Sequence, residues 1–388
     1  MDAFGTDTFH PHTENVIMPH PAPSFQSFVG VDLHKATVSL AAVDPAGVPI
    51  ARLTCHTKCV DRIERFLAEL PGGPGAVHLA VEAVTFAEWF IDRFGPRVGR
   101  IDIAHATALA RLRGKRRKTD RNDAMDVALR LARGDCPLGW IADEDVMQLR
   151  KLGRHWRSLS RTLSRSKHGV RSMLNAANLA GPRMDGAAMH KWLLAHGHLL
   201  KGAQRLAFED LLDVILLLER KRQRLRLAII AANRSERFDA LTTLLKTVPG
   251  IDEVAACIIA AEVGDFERFP NADALEFWAG ITPDNLESAG RVTSGPITKA
   301  GSATLRWTLG QAALCLCRSD ADQEAIRQRL IRTRGKARAN VAMARRLLRV
   351  LCAMVRHGSV YERGQATDHT ARANRVRMSQ RQRSKRAA

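Results

Sequence analysis

No apolar run in this sequence is long enough to cross a bilayer. Runs such as Val214–Leu218 fall far short of the ~20 residues a spanning helix needs. A secretory signal is also lacking: the first residues are polar and rich in histidine and proline, with no basic segment leading into an apolar one. Paired metal-binding cysteines are missing too. The seven cysteines are Cys55, Cys59, Cys136, Cys257, Cys315, Cys317 and Cys352, an odd and scattered set that argues against a disulfide framework. Neither Cys55-His56-Cys59 nor Cys315 with Cys317 has the doubled C-x2-C spacing of a structural zinc module. They read as buried or surface thiols of a reducing cytosol. Negative charge is scarce as well. Against 60 Lys plus Arg stand 40 Asp plus Glu, a formal charge of +20. That balance excludes most small-molecule housekeeping enzymes as a first reading and favours a polyanion; with no membrane segment, nucleic acid is the expected partner.

What is present is a globular composition. The chain has 388 residues, 45% of them hydrophobic, which fits two or three domains at roughly 150 residues each. Residues 1–24 read as a disordered leader. Residues 25–145 read as a mixed α/β sheet. Short β-rich runs at 28–32, 37–43 and 48–55 precede alternating helices and strands, and Asp44-Pro45-Ala46-Gly47 is a turn between two of the strands. Residues 146–238 predict a coiled-coil arm, with a heptad seam through Leu149, Leu152, Trp156, Leu159, Leu163 and Val170 and a second helix over about 208–232. Residues 239–360 predict a mainly α domain, and 361–388 a flexible basic tail.

Three constellations carry chemistry. The first is acidic. Asp32 ends the first strand, Glu82 ends the fourth, and Asp120 and Asp123 stand three apart at a helix start, sharing one face. If the first and fourth strands are neighbours, the carboxylates converge and repel unless cations neutralise them. Hard oxygen donors suit Mg²⁺ or Mn²⁺, the ions used for displacement at a phosphodiester. Taken one at a time, the same acids read as helix caps and solvated first-turn charges. Asp126 is a weaker substitute for Asp123. The second constellation, 244–262, reads as two helices about Pro249-Gly250-Ile251, a helix-hairpin-helix whose turn amides at Gly250 face a phosphate. The third, 287–299, is a Gly-, Ser- and Thr-rich segment in which Arg291 and Lys299 supply charge and a serine could attack phosphorus.

Basic residues cluster twice. Residues 111–121 hold seven in eleven, among them Arg113, Lys115, Arg116, Arg117 and Lys118. Arg150, Arg154, Arg157, Arg161, Arg165 and Arg171 form a stripe along the long helix, and no acid occurs between Gln148 and Met184. Both are expected to contact a nucleic-acid backbone.

Five separated blocks occur in order: VGVDLHK, VEAV, KTDRNDA, LKTVPGIDEVAACIIAAEVGDFERFP and WAGITPDNLESAGRVTSGPITKAGSATLRW. Over about 28–357 the chain resembles the Piv-like DEDD/serine transposases of bacterial insertion sequences, which include the bridge-RNA-guided recombinases. The resemblance implies a RuvC-like (RNase H-like) DEDD domain joined to a serine-bearing domain. It implies that Asp32, Glu82, Asp120 and Asp123 bind metal and that Ser288 forms a covalent phosphoserine link to DNA. It further implies a guide RNA, a dimer or tetramer, and a place in the bacterial cytoplasm at the nucleoid. The family usually has Ser-Gly-Gly where this chain has Ser288-Ala289-Gly290, which leaves Ser294 as the alternative nucleophile. A nuclease that uses water, and a non-catalytic nucleic-acid-binding protein, are the competing readings.

Overall fold

The computed structural model describes residues 25–83, 86–113, 120–233, 236–288 and 291–363. The leader, Lys115 to Lys118 of the basic loop, and the tail beyond residue 363 lie outside the described residues. The chain divides into two compact units at Ile141/Ala142. No helix among the described residues is long and apolar enough to cross a membrane.

The first unit is the expected α/β sheet. Strands β1 (Ser27–Leu33), β2 (Thr37–Val43) and β3 (Pro49–His56) form an antiparallel meander. The turn between β2 and β3 is closed by Asp44, whose Oδ1 accepts from the amides of Ala46 and Val48. Helix α1 (Val60–Ala68) leads to β4 (Val77–Glu82), then α2 (Ala87–Phe94) to β5 (Arg100–Ala104). Helices α3 (Ala106–Arg113) and α4 (Asp120–Arg133) precede the short edge strand β6 (Leu138–Gly139). The sheet order is β3-β2-β1-β4-β5-β6, with β4 parallel to β1 and β5 parallel to β4.

Strand alternation assigns the two faces. Val29, Val31 and Leu33 of β1, with Val77, Leu79 and Val81 of β4, pack on Ile63 and Leu67 of α1 and Phe90 and Phe94 of α2. Phe28 of β1 and Ala80 of β4 point the other way, into a layer with Leu109 of α3 and Val127 and Leu131 of α4. Helices therefore cover the sheet on both sides, and both faces of its central strands are dry.

The second unit is mostly helical. Helices α5 (Glu144–Ala176), α6 (Gly186–His196) and α7 (Ala203–Ala232) come first. Leu163, Val170 and Leu174 of α5 meet Phe208, Leu212 and Ile215 of α7, while Leu149 at the start of α5 meets Leu225 and Ile229 near the end of α7. The two long helices thus run antiparallel. A pair of shorter helices, α8 (Glu236–Lys246) and α9 (Glu253–Val263), is followed by α10 (Ala272–Ala279). Strands β7 (Pro283–Ser288) and β8 (Arg291–Ile297) form a separate hairpin. Helices α11 (Ala303–Ser319), α12 (Ala321–Arg334) and α13 (Lys336–His357) complete the described chain. Helix α9 is apolar on all sides and buried nearly throughout, as befits the centre of a helical unit.

Candidate active site

The parallel pairing of β1 with β4 sets Val31 opposite Val81, so Asp32 and Glu82 are the next residues along adjacent strands. Alternation puts both on the face that carries α4, at the carboxyl end of the strands, where α/β folds place their functional groups. Helix α4 crosses this face in close contact. A Cβ on Gly30 would lie 2.0 Å from the carbonyl oxygen of Ala124 and 2.5 Å from the amide of Ala128. Further back, Phe28 packs with Leu131 and Ala132. Helix α4 therefore runs antiparallel to β1, and its first turn, with Asp120 and Asp123, comes to the end of the strand that bears Asp32.

Asp32 and Asp123 are each only 7% exposed. Asp32 Oδ2 stands 3.3 Å from Nε2 of the exposed His34. Asp120 opens α4, but its side chain lies outside the described set. Asp126 is taken up by Arg130, 3.1 Å away at i+4, and so is not a free substitute for Asp123. Among the described residues no three His, Cys, Asp or Glu side chains close into a ligand sphere. The donor set of Asp32, Glu82 and Asp123 is nonetheless the hard-oxygen chemistry that Mg²⁺ or Mn²⁺ requires.

Ser288 is the last residue of β7 and pairs with Arg291, the first of β8. The serine singled out by resemblance thus sits at the closed end of a hairpin, with Arg291 directly across the ladder. Ser294 pairs with Asn285 in mid-strand. The open end of the hairpin is held firmly. Gly280 ends α10 in the left-handed region at φ +68°, and a Cβ there would meet the amides of Ala300 and Gly301 at 2.5 and 2.7 Å. Lys299, exposed and at φ +54°, donates its amide to the Gly280 carbonyl at 3.0 Å. Arg306 of α11 donates from Nη1 to the carbonyls of Ala279 and Gly301, at 3.2 and 2.6 Å. Ser302 caps α11 by accepting from the amides of Thr304 and Leu305.

The segment 244–262 forms two helices about a tight turn. Asp252 caps α9 through the amide of Ala255 at 2.8 Å. Gly250 has φ +95°, and a Cβ there would lie 2.8 Å from the Ala312 carbonyl of α11. Glycine is thus required at this turn both for its conformation and for close packing.

The arginine stripe divides in two. Arg150 donates to the carbonyls of Ala261 and Glu262 at 2.7 and 3.0 Å, capping the end of α9, and Arg154 pairs with the buried Glu262 carboxylate at 3.1 Å. The absence of acids within α5 does not leave these two unpaired, because α9 supplies one. Burial, partly offset by Glu262, holds the Arg150 guanidinium below its ordinary range. By contrast, Arg157, Arg161, Arg165 and Arg171 form no ion pair among the described residues, and the last three are exposed. Sequence reasoning missed Glu262. Its signal was present: an acid near the end of a helix whose middle is wholly apolar is buried with it and needs a partner.

Comparison with known proteins yields matches over both units. Residues 242–328 match the family described as Transposase IS116/IS110/IS902 family, and residues 29–178 match the DEDD transposase family of the IS110 type. A Sinorhizobium fredii protein bearing the name transposase y4qE is 25% identical over 291 residues, covering 74% of this chain and 71% of its own length. A protein of insertion element IS110 from Streptomyces coelicolor is 29% identical over 124 residues, covering 31% of this chain and 30% of its own. The transposase for insertion sequence element IS1111A of Coxiella burnetii is 27% identical over 124 residues, covering 31% and 34%.

Proposed function

This chain belongs to the IS110 family of insertion-sequence transposases, and we propose that it cuts and rejoins DNA through a serine-phosphodiester intermediate. The observation that carries this reading is the pairing of chemistries in one chain. Asp32 and Glu82 occupy neighbouring strand ends under the first turn of α4, and Ser288 occupies the closed end of a hairpin with Arg291 across from it.

The step balances as a transesterification. The Ser288 hydroxyl gives up its proton as its oxygen bonds to phosphorus, and the bond from phosphorus to one sugar oxygen breaks, that oxygen leaving with a proton. Because one phosphoester replaces another, no external energy source is needed to reseal the strand. A sugar hydroxyl of a new partner strand then attacks the phosphoserine and frees the enzyme. Arg291 is suited to stabilise charge on the phosphoryl oxygens. Asp32, Glu82, Asp120 and Asp123 would hold Mg²⁺ or Mn²⁺, which supplies Lewis-acid polarisation of a phosphate.

The substrate in this reading is the DNA of the element's own ends and its target. Arg113, Lys115, Arg116, Arg117, Lys118, Arg157, Arg161, Arg165, Arg171, Lys299 and the turn amide of Gly250 contact nucleic-acid backbone. A guide RNA selects the DNA, and a dimer or tetramer brings the carboxylates of one subunit to the serine of another.

The test is covalent trapping. Full-length protein is mixed with Mg²⁺, native element ends and RNA transcribed from their flanks, then denatured. A protein–DNA adduct that disappears in Ser288→Ala and in Asp32→Ala is the expected result. Cleaved ends without an adduct, unchanged in Ser288→Ala, would identify water as the nucleophile and overturn the serine assignment.

A further inference from the structure

Helices α5 and α11 flank an open pocket of about 390 Å³, lined by Ser160, Arg161, Ser164, Arg165, His168 and Trp307. Its lining holds one large aromatic ring, two guanidinium groups, two hydroxyls and an imidazole, and no carboxylate. The five residues from α5 repeat at intervals of one, three and four, so they share one side of that helix. The volume is at the small end for ligand sites, where roughly 300–1,000 Å³ is usual. It suits one planar group and is far too narrow for a duplex.

Several groups here have needs that the protein does not meet. Ser160 is only 8% exposed, and its hydroxyl has no hydrogen-bond partner among the described residues. A buried hydroxyl left unsatisfied is costly, and such exceptions call for a ligand or water. Ser164 uses its own hydroxyl to donate to the Ser160 carbonyl at 2.9 Å, so it does not satisfy the Ser160 hydroxyl. Arg161 and Arg165 form no ion pair among the described residues. One turn earlier, the buried Nε of Arg157 finds no acceptor. Burial and the Arg157 charge together depress the guanidinium pKa of Arg306, beside Trp307. At the pocket itself, Arg161 and Arg165 supply positive charge, and no carboxylate is among the lining residues.

We propose that this cavity receives the base of one unpaired nucleotide from a single-stranded nucleic acid. The base lies against Trp307, its edge meets the Ser160 hydroxyl and His168, and the flanking phosphates meet Arg161 and Arg165. Aromatic stacking combined with a basic track is the general chemistry of single-strand recognition. The occupant's chemistry is shared by RNA and DNA, and the test separates them. The inference rests on the nucleic-acid reading above, but not on any covalent step.

The experiment uses the full-length protein and short oligonucleotides carrying one central 2-aminopurine, as single-stranded DNA, as single-stranded RNA and as duplex DNA. Emission quenched on binding of wild type, and not of Trp307→Ala, is the expected result. Trp307→Ala should weaken single-strand binding roughly 5- to 150-fold, the range for one base–aromatic stack, while Trp307→Phe retains most of the affinity. Duplex affinity should not change. Whichever single strand suffers the larger loss is the occupant. Arg161→Gln should reduce the salt dependence of single-strand binding by about 0.7 of a logarithmic unit per unit. Ser164→Leu, at an exposed rim position, should block the cavity and reproduce the loss without touching the core. If both Trp307→Ala and Ser164→Leu fold as wild type and bind single strands normally, the proposal is overturned. It is equally overturned if they weaken single strand and duplex alike. Ser288→Ala, which abolishes the adduct in the recombinase reading, should leave the quenching intact, so the two readings fail independently.

Discussion

Gly30 of β1 and Ala124 of α4 approach so closely that a single methyl on Gly30 would reach within 2.0 Å of the Ala124 carbonyl oxygen. This contact sets the height of α4 above the sheet, and with it the distance of Asp123 from Asp32. Because the obstruction is backbone, Gly30→Ala cannot be absorbed by a rotamer change. It should destabilise the first unit by about 3 kcal/mol or more. Thermal denaturation would read this, and a variant as stable as wild type would refute the close packing.

The buried acids Asp32 and Asp123 should control how far a divalent ion stabilises the fold. With Mg²⁺ at about a hundred times its Kd, wild type should gain roughly 2.7 kcal/mol and Asp32→Asn and Asp123→Asn little. Melting curves with and without Mg²⁺ check this, and equal gains in all three proteins would remove these acids from the metal site.

Arg150 ties α5 to the end of α9 by two charge-assisted bonds to carbonyls. Arg150→Ala should cost about 1.5–3 kcal/mol, as expected for bonds to a charged donor. Arg154→Ala should cost at least as much, because it strands the buried Glu262 carboxylate, 2% exposed. Urea unfolding of the two variants would rank them, and a negligible loss for Arg154→Ala would contradict this assignment.

Asp102 links His78 and Arg100, each at 2.7 Å. Burial raises its carboxyl pKa, but hydrogen bonds from His78 and Arg100 outweigh that and hold it below the usual range. A carboxylate lowered on folding stabilises the protein above its unfolded pKa of about 3.9, and that stabilisation is lost as pH falls through the folded value. Asp102→Asn should therefore be less stable than wild type at pH 7, with the difference shrinking below about pH 4. A difference independent of pH would mean that packing, not charge, is at stake.

Burial pushes the thiols of Cys136 and Cys257 up to about 12 and that of Cys317 up to about 11. At pH 8 these three should resist iodoacetamide in the native protein and react only after unfolding. Mass spectrometry of peptides alkylated before and after denaturation would show this, and rapid native labelling of Cys257 would be inconsistent with its place in α9.

Much of the first unit was legible in the sequence because its signals are local. Asp44 in its turn, the apolar strands ending in Asp32 and Glu82, and the i, i+3 acids of α4 each identify themselves within a few residues. The pairing of β1 with β4 follows from the handedness and compactness of α/β connections. The hairpin of β7 and β8 was not legible. Its residues from Arg291 to Ile297 include Ser294, Gly295 and Pro296, which read as loop, and the ladder becomes evident only when Gly280 and Gly301 lock its base. Helix α6 was missed for a similar reason, since it is short and its apolar pattern is weak. The engagement of Arg154 with Glu262 joins residues 108 apart, a separation no local pattern reports. The cavity at Trp307 likewise joins two helices distant in sequence.

Arg306 spans the two feet of the serine-bearing hairpin, holding the carbonyls of Ala279 and Gly301 from a single guanidinium. The hairpin is therefore a cassette with a fixed socket. In a designed chimera its register and reach can change, so long as the junctions at Gly280 and Gly301 are preserved. Grafting residues 281–300 from another family member onto this socket is accordingly the natural unit of exchange, whereas a graft that cuts inside either foot would lose the contacts that Arg306 and Gly280 make there.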